Sequence, residues 1–333
     1  MQAMTKIERV QAALSGRQVD RVPVGFWGHN FLKEWTAEGL AEAMLDLHRW
    51  YDWDFMKVNP RASYFVEDWG ARYRPTGDPH KGPTFVDTPI KRAGDWSRIE
   101  VLDPQKGVLG EHLKALRLID QGLAGDAPFI QTIFSPLSVA KYLVGKKPEV
   151  ILAHLREDPN ALAYGLSVIA QTFAEYSRHC IEAGASGIFF ATTGWASADL
   201  LSEDDYIVYG KRYDLDVLEA VRDIGSFHVL HNCGENIFFE LLSYYPVHAI
   251  NWATASPGNP SLHSALALTD KAVMGGVAEK TTLREGTPAE VAAEAREALR
   301  QTGGHRFLLS GGCSIPTDVP EANLWAAKAA VLQ

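Results

Sequence analysis

The sequence predicts a parallel (β/α)8 barrel built as one domain over residues 1–333. Three observations carry that prediction. Short apolar runs alternate with helical patterns from one end to the other, about eight strand-type runs over roughly 300 residues, which is the rhythm and size of such barrels. Several of the runs are apolar throughout, as parallel strands covered on both faces are. No run leads into G-x-G-x-x-G and no G-x-x-x-x-G-K-[ST] occurs, which disfavours the alternative, a doubly wound open sheet. A length of 333 residues suits one large domain or two medium ones. With no internal repeat, low-complexity tract or composition break, one domain is expected.

The elements follow in order. Thr5 to Leu14 reads as an amphipathic helix with charges throughout. Strands are expected at Val22–Trp27, Asp54–Val58, Phe129–Phe134, Gly187–Ala191, Ser226–His231, His248–Trp252, Lys271–Gly275 and Arg306–Ser310, each bounded by Gly, Pro, Asn or Ser. The stretch from about Trp69 to Pro104, rich in Gly, Pro and charge, reads as an excursion or lid between early strands. The clearest helix runs from Pro159 to Ala183, where Leu162, Leu166, Ile169, Phe173, Tyr176 and Cys180 form one apolar stripe. Thr287-Pro288-Ala289-Glu290 carries the capping residue, first-turn proline and returning glutamate of a helix start. A last helix is expected from near Asp318-Val319-Pro320-Glu321 to the C-terminus.

Composition narrows the function. Lys+Arg 32 against Asp+Glu 41 gives a formal net charge of −9, which argues against a nucleic-acid partner, since that needs a basic surface. The N-terminus has no apolar secretory core, and no stretch reaches the roughly 18 apolar residues that span a bilayer. A cytoplasmic protein without membrane association is expected. Three cysteines exclude a disulfide framework. Cys180, on the helix stripe, is expected to pack.

The other two cysteines fall into a constellation. Phe227-His228-Val229-Leu230-His231-Asn232-Cys233-Gly234 ends a strand, and side chains two apart in an extended chain share a direction. His231 and Cys233 can therefore face one site. Cys313 follows Gly311-Gly312 directly after another strand. All three lie past carboxyl ends of strands, where barrel enzymes place their active sites. One imidazole and two thiolates are the ligand set of a catalytic zinc site with its fourth position open. Spacing alone leaves the bland reading standing, in which buried cysteines pack and a strand-end histidine satisfies a carbonyl.

Further residues carry a resemblance. Glu8-Arg9-Val10 … Ala13-Leu14-Ser15-Gly16 … Val19-Asp20-Arg21-Val22-Pro23-Val24 is similar to the uroporphyrinogen decarboxylase superfamily, in its corrinoid-linked branch. So are Ser135-Pro136-Leu137-Ser138-Val139-Ala140, Asn251-Trp252 … Gly258-Asn259-Pro260 and Gly312-Cys313-Ser314-Ile315-Pro316 … Pro320-Glu321-Ala322-Asn323. The similarity spans nearly the whole chain in order and implies a (β/α)8 barrel. Methylcobalamin:thiol methyltransferases of the coenzyme M type carry H-x-C … C as zinc ligands, which the resemblance assigns to His231, Cys233 and Cys313. It implies Zn2+ as cofactor, a small-molecule thiol as substrate, and methylcobalamin or a corrinoid on a separate protein as methyl donor, because no D-x-H-x-x-G cobalamin loop occurs here.

The decarboxylases match less well. Their arginine-bearing N-terminal signature corresponds to Pro23-Val24-Gly25-Phe26-Trp27-Gly28-His29-Asn30, without arginine, and their Ser-Asp pair to Val58-Asn59-Pro60-Arg61-Ala62-Ser63. Porphyrinogen decarboxylation is therefore the second reading, and a non-catalytic zinc-binding barrel the third. Related methyltransferases also commonly carry an acid near the end of the strand after H-x-C, where this chain has Asn251-Trp252-Ala253-Thr254. Glu279 is the candidate to supply an acid from elsewhere and is the expected catalytic residue. His29, Asn30, Gln131, Thr193, Trp195 and Asn251, at strand ends, are the expected substrate-binding set. A homodimer is an open alternative to a monomer.

Overall fold

The computed structural model describes residues 3–332. Seven parallel strands form the sheet: β1 (Met56–Val58), β4 (Phe129–Phe134), β5 (Gly187–Ala191), β6 (Val229–Asn232), β7 (Ala249–Trp252), β8 (Ala272–Val277) and β9 (Phe307–Gly311), in that spatial order. A two-stranded antiparallel hairpin, β2 (Arg72–Arg74) and β3 (Thr84–Asp87), lies inside the predicted excursion.

The predicted first strand, Val22–Trp27, closes the ring without forming a regular ladder. Gly25 N–H donates to Leu309 O, Leu309 N–H to Pro23 O and Asp54 N–H to Val24 O, so the segment bridges β9 to the chain entering β1. Two features interrupt its ladder. Pro23 has no N–H to give, and Val24 N–H is taken by the Asp54 carboxylate at 2.9 Å.

Alternation within the strands fills the barrel. Trp27, Phe55, Ile130, Phe189, Phe227, Val229, Ala249, Ala272, Met274 and Leu308 pack together inside, with Val10 and Ala13 of the N-terminal helix beneath them. Each large buried apolar side chain contributes about 1.5–3 kcal/mol. That helix (Lys6–Leu14), started by a Thr5–Glu8 capping box, plugs the amino end of the barrel. It is pinned there by Arg9, which pairs with Asp20 and with fully buried Asp54, both at 2.7 Å; Arg21 meets Asp54 at 2.5 Å. The Glu8-Arg9 … Asp20-Arg21 motif thus builds the barrel's base.

The remaining helices form the outer layer. Pro159–Glu182 starts at Asp158, whose carboxylate accepts Ala161 N–H at 3.0 Å, and buries the whole predicted stripe, Cys180 included. Pro288–Thr302 starts with the predicted Thr287–Glu290 box, and the last helix begins at Glu321, slightly later than the sequence suggested. The excursion is tied down over the carboxyl end of the barrel. Tyr73 OH donates to Tyr142 O at 3.1 Å, and the His80 ring meets Thr317 Oγ1 at 2.8 Å. Among the described residues, no helix is long and apolar enough to cross a membrane.

Candidate metal centre

His231 and Cys233 occupy inward positions two residues apart on and just past β6, as alternation requires. Cys313 reaches them from the turn after β9. That turn runs so close to β7 that a Cβ on Gly312 would lie 2.5 Å from Ala253 Cα, which only glycine tolerates. The three donors converge: Cys233 Sγ and Cys313 Sγ are 3.6 Å apart, and His231 Nε2 lies 2.8 Å from Cys233 Sγ and 3.7 Å from Cys313 Sγ. These three atoms all lie within 4.8 Å of one another, and among the described residues no fourth His, Cys, Asp or Glu joins them.

The arrangement behind the imidazole fixes its tautomer. Asn251 Nδ2 donates to Met274 O and Gly311 O, both at 3.0 Å, so the amide can only turn its oxygen to His231. Asn251 Oδ1 lies 2.7 Å from Nδ1, which must carry the proton. Nε2 is left with its lone pair directed at the two sulfurs. Phe189 stacks on the ring at 4.9 Å between centroids and holds its plane. The two sulfurs share a hydrogen bond. The Cys233 hydrogen bond, then the nearby His231, drive the Cys313 thiol well below its ordinary range, while Cys233 is driven up.

The donor set fits zinc. Two sulfurs and one imidazole nitrogen are preferred Zn2+ ligands, with bonds of about 2.3 and 2.0 Å, and sulfurs 3.6 Å apart can share one tetrahedral ion. The short His231–Cys233 contact is a hydrogen bond that a shared cation would replace. Three protein ligands leave a fourth position open, as in catalytic zinc sites.

The other expected residues are placed unequally. Glu279 is buried beside Cys313, but its Oε2 accepts Gly312 N–H at 3.1 Å and it stands outside the group of three donors. Burial, and after it the charge on Cys313, push its carboxyl up. Thr193 adopts a left-handed conformation, its hydroxyl 2.5 Å from Ser138 Oγ and 3.4 Å from Lys141 Nζ.

The other five residues of the expected substrate-binding set are placed as follows. Gln131 faces the helices, because Ile130 packs inside and places its neighbour outside; its amide donates to Tyr176 OH at 3.3 Å. Trp195 is fully buried in the outer core and offers no surface to the mouth. Asn251 is buried behind His231 with both ends of its amide engaged. Asn30 is exposed, bonded to Lys33 N–H. Together with His29, whose Nδ1 meets buried Glu34 at 2.7 Å, it lines a groove between helices Ala37–Tyr51 and Glu321–Ala330 that includes none of the three donors.

A residue outside the expected set shares the barrel interior. Lys57, on β1, is only 6% exposed, and its ammonium donates to Asn59 Oδ1 and lies 5.0 Å from the Phe189 ring centroid. Burial pulls it down to about 7, while Cys313, Cys233 and Glu34 act in the opposite sense. The signal in the sequence was a lysine inside an apolar strand run, flanked by Met56 and Val58.

The fold and the centre define a class: a parallel β/α barrel with a nitrogen–sulfur–sulfur donor set at its carboxyl end that could hold a metal ion. The family model described as Uroporphyrinogen decarboxylase (URO-D) matches residues 5–332, and the chain belongs to that family. It is 24% identical to the Methylcobamide:CoM methyltransferase MtbA of Methanosarcina mazei, over 97% of this chain and 96% of that protein. It is also 24% identical to a Uroporphyrinogen decarboxylase of Synechococcus sp., over 74% of this chain and 70% of that protein. Among solved structures, a methyltransferase from Methanosarcina mazei superposes with a TM-score of 0.84 at 23% identity, covering 98% of both chains, and shares the fold.

Proposed function

We propose that this protein is a zinc-dependent methyltransferase that moves a methyl group between a corrinoid and a small-molecule thiol. The observation that carries the reading is the His231–Cys233–Cys313 set, with Nε2 freed by Asn251 and no fourth protein donor among the described residues. Its near full-length similarity to a relative named as a methylcobamide:CoM methyltransferase supports the same chemistry. A zinc ion held by the three residues would keep a substrate sulfur as thiolate at neutral pH while leaving it nucleophilic.

The chain's own residues then have defined work. His231 is held in one tautomer and one plane, Cys233 and Cys313 supply two negative charges, and Glu279 holds the Gly312 turn that presents Cys313. In the transfer, a sulfur–carbon bond forms as the cobalt–carbon bond breaks. The bonding pair stays on cobalt, and the thiol proton leaves to solvent. The corrinoid must dock over the barrel mouth, so a separate corrinoid protein is the partner, and proximity at that mouth supplies much of the acceleration.

Porphyrinogen decarboxylation is the second reading, supported by the relatives bearing that name. A substrate with many carboxylates calls for free arginines at the mouth, and buried Arg61 is already paired with Glu67 and Glu111. The test is anaerobic incubation of zinc-loaded protein with methylcobalamin and a panel of thiols. The expected result is loss of the methylcobalamin spectrum with an equal yield of S-methyl product, abolished in Cys233→Ser. Turnover of a porphyrinogen without thiol methylation would replace this reading with the second.

A further inference from the structure

Lys57 poses a problem that the proposed chemistry does not address. Its side chain enters the barrel interior, where Trp27 and Phe189, each 2% exposed, flank the ammonium at 6.0 and 5.0 Å. Among the described residues it forms no ion pair. Its one hydrogen-bond partner is the neutral Asn59 amide, whose oxygen also receives Ser314 Oγ at 3.4 Å, next to Cys313. A buried ammonium without a counter-ion is costly. It persists where an anion completes it.

The charge count identifies the anion. His231 is neutral, with its single ring proton on Nδ1, so two cysteine thiolates balance one divalent cation. A substrate thiolate arriving beside them is one negative charge in excess, which the protonated form of Lys57 can meet; Glu34, which also acts on Lys57, is already engaged by His29 at 2.7 Å. Position decides which part of the substrate it serves. Lys57 leaves β1 two residues before Asn59 and lies against the ring on which His231 stacks, among residues of the barrel interior. The cysteine sulfurs act on Lys57 across this interior, so the substrate atom bound beside them is the one it would meet.

We propose that Lys57 is a positioning residue that supplies the counter-charge for the substrate thiolate, with Asn59 and Phe189 holding its ammonium in place. This rests on the metal-centre reading above. It predicts that Lys57 favours binding of the thiolate sulfur irrespective of what the thiol carries at its other end.

The experiment uses the full chain loaded with Co2+ in place of zinc. The sulfur-to-metal charge-transfer band is followed as 2-mercaptoethanol, and separately 3-mercaptopropionate, is added. One unit charge several ångströms away in a partly polar interior corresponds to roughly 10- to 100-fold in binding. Lys57→Met is expected to need about that much more of either thiol for half-saturation, with unchanged cobalt stoichiometry, and Lys57→Arg to recover most of the loss. Lys57→Gln is read the same way should the methionine variant fold poorly. Equal half-saturation in wild type and the uncharged variants would overturn the proposal. So would a loss confined to 3-mercaptopropionate, which would make Lys57 an anchor for the anionic tail. Wild-type protein that binds no cobalt, or no thiol, would instead refute the metal-centre reading itself.

Discussion

Replacing Asn251 with leucine separates a metal centre from a packed cluster of polar residues. Leucine keeps the branched shape, with more bulk, but removes the acceptor that holds the Nδ1 proton of His231, and the donors to Met274 O and Gly311 O. Gly311 O retains the Ser310 hydroxyl at 2.9 Å and Met274 O stays in the β7–β8 ladder, so the buried group that loses its partner is His231 Nδ1–H. For one buried group left unpaired, the loss of stability is about 1–3 kcal/mol. The imidazole, free to turn or to move its proton to Nε2, should bind metal about 10- to 100-fold more weakly, or about 1.4–2.8 kcal/mol. Competition against a chromophoric chelator measures the second quantity, and urea denaturation of the metal-free protein the first. Asn251→Leu protein that is destabilised as expected yet binds zinc within twofold of wild type would refute the reasoning, since the amide would then support the fold and not the ligand.

Three further outcomes follow from neighbouring features. Arg9→Met leaves Asp20 without its guanidinium and halves the pairing of buried Asp54; a loss of about 3–5 kcal/mol is expected in urea denaturation. Asp214, fully buried, accepts hydrogen bonds from Tyr206 and Tyr245 on one oxygen, and burial raises its carboxyl to about 7. The folded chain then holds one more proton than the unfolded chain between pH about 4 and 7, so stability from this group is full below that window, falls across it and levels above. Asp214→Asn should flatten the part of the decline that falls between pH 5 and 7, up to about 3 kcal/mol, in urea denaturation measured from pH 5 to 8. Glu279→Gln keeps an acceptor for Gly312 N–H and should hold zinc like wild type, whereas Glu279→Ala should lose affinity in the same chelator competition.

The sequence revealed some levels of this protein better than others, for physical reasons. Buried parallel strands and the Pro159–Glu182 stripe are local patterns, and they lie where the periodicity puts them. The His231–Cys233 pair was readable because a period of two fixes relative direction within one strand. Gln131 shows where that logic stops. In the run Phe129–Phe134 the adjacent polar residues Gln131 and Thr132 point to opposite faces, so nothing local tells the inner face from the outer, and the answer comes from Lys57–Ile130 pairing across strands. Val22–Trp27 occupies its predicted place, yet its ladder gives way to an Asp54 carboxylate 30 residues on, a contact that no local pattern records. Asn251 was drawn toward substrate by its strand-end position, although its three partners lie on β6, β8 and β9. Lys57 was present in the pattern as an anomaly, and its meaning needed the sulfurs that the fold brings near it.

X-ray absorption at the zinc edge of the purified protein tests the central claim most directly. One zinc per chain is expected, bound by two sulfurs at about 2.3 Å and by lighter nitrogen or oxygen donors at about 2.0 Å. Adding a thiol substrate should raise the sulfur count to three, and Cys313→Ser should lower it by one. A protein that takes up no zinc, or binds it without sulfur, would contradict the account.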